Sequence, residues 1–236
     1  AYAAVNEYKS TLGITEEDTV VERIDITPQP QASVVVMDQK TGKVLAISGG
    51  RGEKTASLSF NRATANPRQP GSCFKVLSTF APAIDSCGYT LAHSVDDDEP
   101  FTYANGDTAK NWDGRYIGPT TIRRAIAHSI NVVTLKTLTA IGPRTGYDYL
   151  INFGFTSLVE MDENGNTDIQ QATALGGITN GVTNLELTAA YAAIANGGVY
   201  NKPVYYTKVL DHDGNILLDN STPESHRVLK ETTAAL

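Results

Sequence analysis

Arg68-Gln69-Pro70-Gly71-Ser72-Cys73-Phe74-Lys75 sets a serine three residues before a lysine, directly after a Pro-Gly pair. The Pro-Gly pair ends the incoming loop, so Ser72 falls near the start of a helix. Residues three apart on a helix share a face, which brings the Lys75 amine within reach of the Ser72 hydroxyl. A serine at its free pKa is a poor nucleophile and needs an adjacent base. A lysine held in a dry pocket can lose its proton and act as one. Backbone N–H groups at a helix start are free to face a developing oxyanion. By itself the spacing also fits a plainer reading, with Ser72 as an N-cap and Lys75 as a solvated first-turn lysine. Ser72 is the only serine in the chain followed three positions later by lysine.

A second serine motif follows at Ser129-Ile130-Asn131, after Thr120-Thr121-Ile122-Arg123-Arg124-Ala125-Ile126-Ala127-His128. Thr120 or Thr121 can cap a helix over Ile122, Ile126 and Ala127. Ser129 and Asn131 then lie near the end of that helix, or in a turn between two helices. A hydroxyl and an amide two residues apart in a turn can aim at one point, although a polar helix end is the commoner role of Ser and Asn. His128 beside Ser129 does not make a Ser-His pair, because sequence neighbours on a helix point apart.

Together the two motifs follow the S-x-x-K and S-x-N pattern of penicillin-binding proteins and class A β-lactamases. Further segments, in order, resemble class A penicillin-binding proteins: Gly42-Lys43-Val44-Leu45-Ala46-Ile47-Ser48-Gly49-Gly50-Arg51, Phe60-Asn61-Arg62-Ala63-Thr64, the run from Gly176 to Leu187, and Ala190-Tyr191-Ala192-Ala193-Ile194-Ala195-Asn196-Gly197-Gly198 followed by Pro203. The resemblance implies an α+β chain with the β-lactamase/transpeptidase-like fold, a helical subdomain and part of an antiparallel sheet. It divides the chain into a linker and leading helix over 1–31 and the N-terminal portion of a penicillin-binding transpeptidase domain over 32–236.

The implied activity is that of a serine D,D-transpeptidase, which cross-links peptidoglycan stem peptides and is acylated by β-lactam antibiotics. In it Ser72 is the nucleophile and Lys75 the base, Ser129 relays a proton to the leaving amine, and Asn131 binds the substrate backbone. Gly71, Asn111 and Trp112 fall at the substrate, with no metal or other cofactor. The same fold also serves D,D-carboxypeptidases, β-lactam-hydrolysing or sensing proteins and inert binding fragments. The family's third motif, Lys-Thr-Gly or Lys-Ser-Gly, does not occur after Asn131. Lys40-Thr41-Gly42 spells it too early and reads as the turn of a hairpin between Ser33–Asp38 and Lys43–Ser48. The third motif, the last strands of the sheet and half of the oxyanion hole are therefore expected beyond Leu236, and the fragment alone is expected to be poorly active. The resemblance also implies an upstream glycosyltransferase domain and membrane anchor, with the enzyme on the extracytoplasmic face of the bacterial membrane.

The 236 residues are 41% hydrophobic and 19% charged, a globular composition. A net charge of −7 argues against nucleic acid as a partner. Asp96-Asp97-Asp98-Glu99 reads as a solvated loop. Cys73 and Cys87 are expected on one helix about 20 Å apart, too far to bridge, with Cys73 as a packing residue. Asp162-Glu163-Asn164-Gly165-Asn166 and Asp211-His212-Asp213-Gly214-Asn215 read as Asx-Gly turns, since neither has the spacing of a calcium loop. The four histidines lack zinc-like spacing. Helices are expected over about Ala1–Leu12, Ser72–Ser86, Thr120–Ala140, Gly146–Phe153 and Asn184–Asn196. A long loop is expected from Tyr89 to Gly118, and a hairpin at Val204–Leu210 and Ile216–Leu218.

Overall fold

Valines and isoleucines on either side of Lys40-Thr41-Gly42 form the expected hairpin: Val34–Met37 (β1) pairs antiparallel with Val44–Ser48 (β2), with a bulge after Val36. Asp38 closes its turn by accepting the Thr41 hydroxyl and the Lys40 N–H. Alternation leaves Val34 and Val36 exposed while Val35 and Met37 are half-buried. In this computed structural model the described residues are Thr15, 30–54 and 56–236. The leading helix expected over Ala1 to Leu12 and most of the connection before Gln31 lie outside them. Residues Ala32–Leu236 form one compact unit.

A short helix, Arg62–Ala65 (α1), capped by Asn61, leads into the helical run 71–86 (α2). This run opens as a 3-10 turn over Gly71–Cys73, widens into a π turn over Val76–Phe80 and closes as α-helix over Ala81–Ser86. Pro82 gives a reason for the wide turn. In a regular α-helix its ring would meet the Ser78 carbonyl, and it has no N–H to donate there. Nearly every residue from Phe74 to Asp85 is buried, because α2 runs between two apolar clusters. Phe74 and Leu77 join Leu150, Phe153, Phe155 and Val182, with the Phe74 and Phe155 rings 5.0 Å apart. Phe80 joins Ile122, Ala125, Ile130 and Val133. Both cysteines are free, and Cys73 is exposed, so the packing role expected for it is wrong. It sits on the outer side of the first turn while its neighbour Phe74 takes the core position.

The region expected as one long loop contains three short strands, Ser94–Asp97 (β3), Phe101–Thr102 (β4) and Thr108–Ala109 (β5), and a fourth, Gly118–Thr121 (β6), starts at its end. β3 pairs antiparallel with β6, and β4 with β5. The acidic run is therefore not simply a solvated loop. Asp97 is 1% exposed, because its carboxylate serves two buried donors.

The helical stretch expected from Thr120 to Ala140 holds two helices, Ile122–His128 (α3) and Asn131–Ile141 (α4), and Ser129 and Ile130 form the turn between them, one of the two placements the sequence left open. Pro143–Asn152 (α5), a 3-10 turn over Gln171–Leu175 and Asn184–Ala195 (α6) complete the helical layer. α6 opens on a reciprocal capping box between Thr183 and Glu186. Val199–Asn201 (β7) pairs with Ser225–Arg227 (β10), and Lys208–Leu210 (β8) with Ile216–Asp219 (β9); Glu231–Ala235 (α7) follows. Asp162 and Asp211 make matching Asx turns, each accepting from backbone amides two and four residues on.

Candidate active site

Lys75 is 3% exposed, and its amine makes three contacts to the α3–α4 junction. Nζ donates to the Ser129 carbonyl at 2.6 Å, to Ser129 Oγ at 2.9 Å and to Asn131 Oδ1 at 2.5 Å. Desolvation lowers its pKa from 10.5 to about 8, with no carboxylate opposing that shift among the described residues. Three acceptors match the three protons of an ammonium, so this is the arrangement of the charged form. When the amine loses a proton, one contact must reverse. Ser129 Oγ is the partner that can do so, because a hydroxyl both donates and accepts.

The junction owes its shape to Ser129. Its backbone is left-handed, φ 52° and ψ 47°. The Ile130 N–H returns to Ala125 O and the Ser129 N–H to Ile126 O, the Schellman pattern that usually ends on glycine. Ile130 packs with Ala125 beneath the turn. A serine in this conformation carries strain of about 1 kcal/mol. In return its carbonyl and hydroxyl leave the helix together and face Lys75. Ile130 offers no side chain to cap α4. Asn111 does so from outside, its Oδ1 accepting from Asn131 N at 3.0 Å and Val132 N at 3.1 Å.

Ser72 lies on the exposed first turn of α2, one turn before Lys75. No hydrogen bond joins its hydroxyl to Lys75 among the described residues. The buried ammonium turns instead to the three oxygens of the junction. Catalytic hydrogen bonds are commonly loose before substrate binds. The loop carrying Ser72 is held from the other side. The Gln69 side chain donates to Ile178 O at 2.5 Å and accepts from Ile178 N at 2.9 Å, imitating a strand pair. Arg68 and Val182 exchange backbone bonds in an antiparallel bridge. Gly181 and Gly176, both with φ +76°, allow this approach. A Cβ on Gly181 would sit 2.6 Å from the Arg68 carbonyl carbon, and one on Gly176 would strike the Gly71 backbone. Tyr191 OH ties down the Cys73 carbonyl at 2.7 Å.

The structure therefore brings Lys75, Ser129 and Asn131 into direct contact, with Ser72 one turn away. Gly71 borders a cleft of about 750 Å³ lined by uncharged residues, among them Gln69, Asn166, Gln170, Gly176 and Thr179. Trp112 is 76% exposed and lies across the end of α3, its Nε1 donating to His128 O. Asn111 departs from the expected substrate contact. It is 6% exposed and its amide is fully engaged within the protein. Asn131, expected on the substrate backbone, uses Oδ1 on Lys75 and one Nδ2 proton on Lys110 O. Its second amide proton has no partner among the described residues. Gln69 stood within the opening motif and was given no role there. Asp97 was missed because a carboxylate in a run of four acids carries no sign of burial.

Comparison with known proteins places the chain in a family. Residues 32–236 match the penicillin binding protein transpeptidase domain. Penicillin-binding protein 1A/1B of Bacillus subtilis (strain 168) is 31% identical over 232 residues, covering 95% of this chain and 24% of that protein. Penicillin-binding protein 1A of Clostridium tetani is 37% identical over 211 residues, covering 84% and 26%. The chain thus spans about a quarter of the length of these curated relatives. PonA1 of Mycobacterium tuberculosis, solved in complex with penicillin V, superposes with a TM-score of 0.72 at 26% identity, over 86% of this chain and 53% of that one. Penicillin-binding protein 1A of Haemophilus influenzae gives 0.67 at 27% identity, over 82% and 27%. The fold is the β-lactamase/transpeptidase-like one, and the chain belongs to the penicillin-binding protein transpeptidase domain family.

Proposed function

We propose that this domain performs serine acyl transfer in peptidoglycan cross-linking. The observation that carries the reading is a buried lysine with a depressed pKa, bound to the Ser-x-Asn motif one helical turn from an exposed serine. Ser72 Oγ attacks the carbonyl between two terminal D-alanines of a stem peptide, and its proton passes to neutral Lys75, directly or through Ser129. The oxyanion faces the first-turn N–H of Ser72. Ser129 then returns a proton to the leaving D-alanine amine. The amine of a second stem peptide attacks the acyl-enzyme, forms the new amide and frees Ser72. A β-lactam presents its strained amide to the same serine, and opening the ring leaves the acyl group in place.

A Lys-Thr-Gly strand, absent after Asn131 here, would supply the second oxyanion donor. Losing one such donor costs roughly a hundred- to a thousandfold in a serine protease, so this 236-residue chain alone is expected to acylate slowly. On this reading the full-length protein works at the outer face of the cytoplasmic membrane, where its substrate lies. No helix among the described residues is long and apolar enough to cross a membrane.

The test is to incubate the full-length protein with a penicillin and map the adduct by mass spectrometry. One acyl group on the peptide containing Ser72 is expected. No adduct, or an adduct confined to other residues, ends the reading.

Ser129 offers a finer check. Ser129→Gly relieves the left-handed strain but takes away one of the three acceptors of the buried Lys75 amine, so the two effects offset and stability should change by no more than about 1 kcal/mol. It also removes the hydroxyl between Lys75 and the leaving amine, so acylation should slow by roughly a hundredfold or more. Thermal melting and acylation rates measured together show whether stability and activity part in this way.

A further inference from the structure

We propose that Asp97 and Asn111 are positioning residues that hold the first turn of α4, and with it Asn131 and Ser129, in register with Lys75. The proposal rests on the acylation reading above for its kinetic consequences, but its geometry stands apart from it.

Asn111 uses every hydrogen bond that its side chain can make. Oδ1 accepts the first two amides of α4, from Asn131 and Val132. Nδ2 donates to Asp97 Oδ1 at 2.7 Å and to the Arg115 carbonyl at 2.8 Å. The carboxylate of Asp97 and the carbonyl of Arg115 can only accept. The nitrogen end of the amide must therefore face them, which fixes the oxygen end on α4. Asp97 is anchored in turn by Ile117 N, which donates to its other oxygen at 3.2 Å. It is also fixed through its backbone, because β3 pairs with β6 and β6 runs directly into α3.

The same loop grips Asn131 a second time, through the Lys110 carbonyl. Asn131 is thus held by its backbone N–H and by one amide proton, leaving Oδ1 aimed at Lys75. Both ends of the α3–α4 junction are set from β3, β6 and the loop between β5 and β6. A displacement of 1 Å in a catalytic group costs about a hundredfold in rate. Asp97 and Asn111 are buried and make no hydrogen bond to Lys75, so they act through Asn131.

The test uses the full-length protein with four variants: Asn111→Ala, Asp97→Asn, the double exchange Asn111→Asp with Asp97→Asn, and Glu186→Gln. Glu186→Gln weakens the α6 capping box and serves as a stability control outside the site. Acylation is followed against penicillin concentration, separating the limiting rate from half-saturation. Exchange of the Asn131 and Val132 amides with solvent is followed alongside. Asn111→Ala should lower the limiting rate by roughly thirty- to a hundredfold, with half-saturation within about threefold, and should speed exchange of both amides.

Asp97→Asn should lower the limiting rate by about tenfold, because a side-chain amide has one oxygen for two donors. The double exchange restores a donor–acceptor pair between 97 and 111 and an acceptor for the helix, while the Arg115 carbonyl loses its partner. It should run at least about fivefold faster than Asn111→Ala. Glu186→Gln should lower the melting temperature and leave the limiting rate alone. An Asn111→Ala protein that acylates within about twofold of wild type, or that slows only as its folded fraction falls, overturns the proposal. If the wild-type protein forms no acyl-enzyme, the functional reading fails by itself. Amide exchange then decides: unchanged protection of Asn131 and Val132 in Asn111→Ala refutes the cap.

Discussion

Ser72→Ala should abolish covalent labelling by penicillin while leaving the protein folded. Ser72 is exposed, and its hydroxyl caps no helix, since the turn it sits on begins at Pro70 without a side-chain cap. Removing such a hydroxyl changes stability by no more than about 0.5 kcal/mol, so lost labelling cannot be put down to unfolding. In a serine protease, deleting the nucleophile costs roughly a millionfold, and a loss of that order is expected here. The adjacent Cys73 is exposed and free, and its thiol is the nearest alternative nucleophile. Cys73→Ser should therefore label as wild type does. Labelling that survives Ser72→Ala and disappears with Cys73→Ser would transfer the chemistry to the thiol and overturn the assignment of Ser72.

What the sequence revealed depended on how local the physical cause was. The β1–β2 hairpin was legible because alternating β-branched residues and a Thr-Gly turn act over a few residues. Ser72 and Lys75 were legible because one helical turn joins them. The break at Ser129 was legible only as one of two placements, since glycine or asparagine usually marks a left-handed helix end, and here serine bears the strain so that its hydroxyl and carbonyl can face Lys75. Asn111 was recognised as belonging to the site but assigned to the substrate. Its actual partners, Asp97 and the start of α4, lie 14 and 20 residues away and come together only through β3 and β6. Gln69 gave no sign of its pairing with Ile178, which is 109 residues on. These long-range polar contacts carry no periodicity, and they are what orient the site.

The acylation rate should rise with pH through a midpoint near 8, following the neutral fraction of Lys75. At pH 7 a lysine with that pKa is neutral in about a tenth of molecules, whereas a solvated lysine would be neutral in fewer than one in a thousand or so. Burial thus raises the population of the working base by more than a hundredfold. Lys75→Arg keeps a charge and most of the contacts but cannot deprotonate. It should lose roughly 10³–10⁴ in rate at all pH values up to 10.

The same shift opposes folding. Holding a charged Lys75 in its buried site costs roughly 3 kcal/mol relative to the unfolded chain. Below pH 8 both states bind the proton and the cost is constant. Between pH 8 and 10.5 the unfolded state binds more protons than the folded one, so stability rises with pH. Lys75→Met abolishes this slope, and the difference in unfolding free energy between the two proteins should change by about 2 kcal/mol from pH 8 to 10 in favour of wild type. Urea unfolding at a series of pH values measures it. A wild-type protein whose acylation is flat through pH 8, or whose stability follows that of Lys75→Met across this window, would show that Lys75 titrates like a solvated lysine. The base would then have to be sought elsewhere.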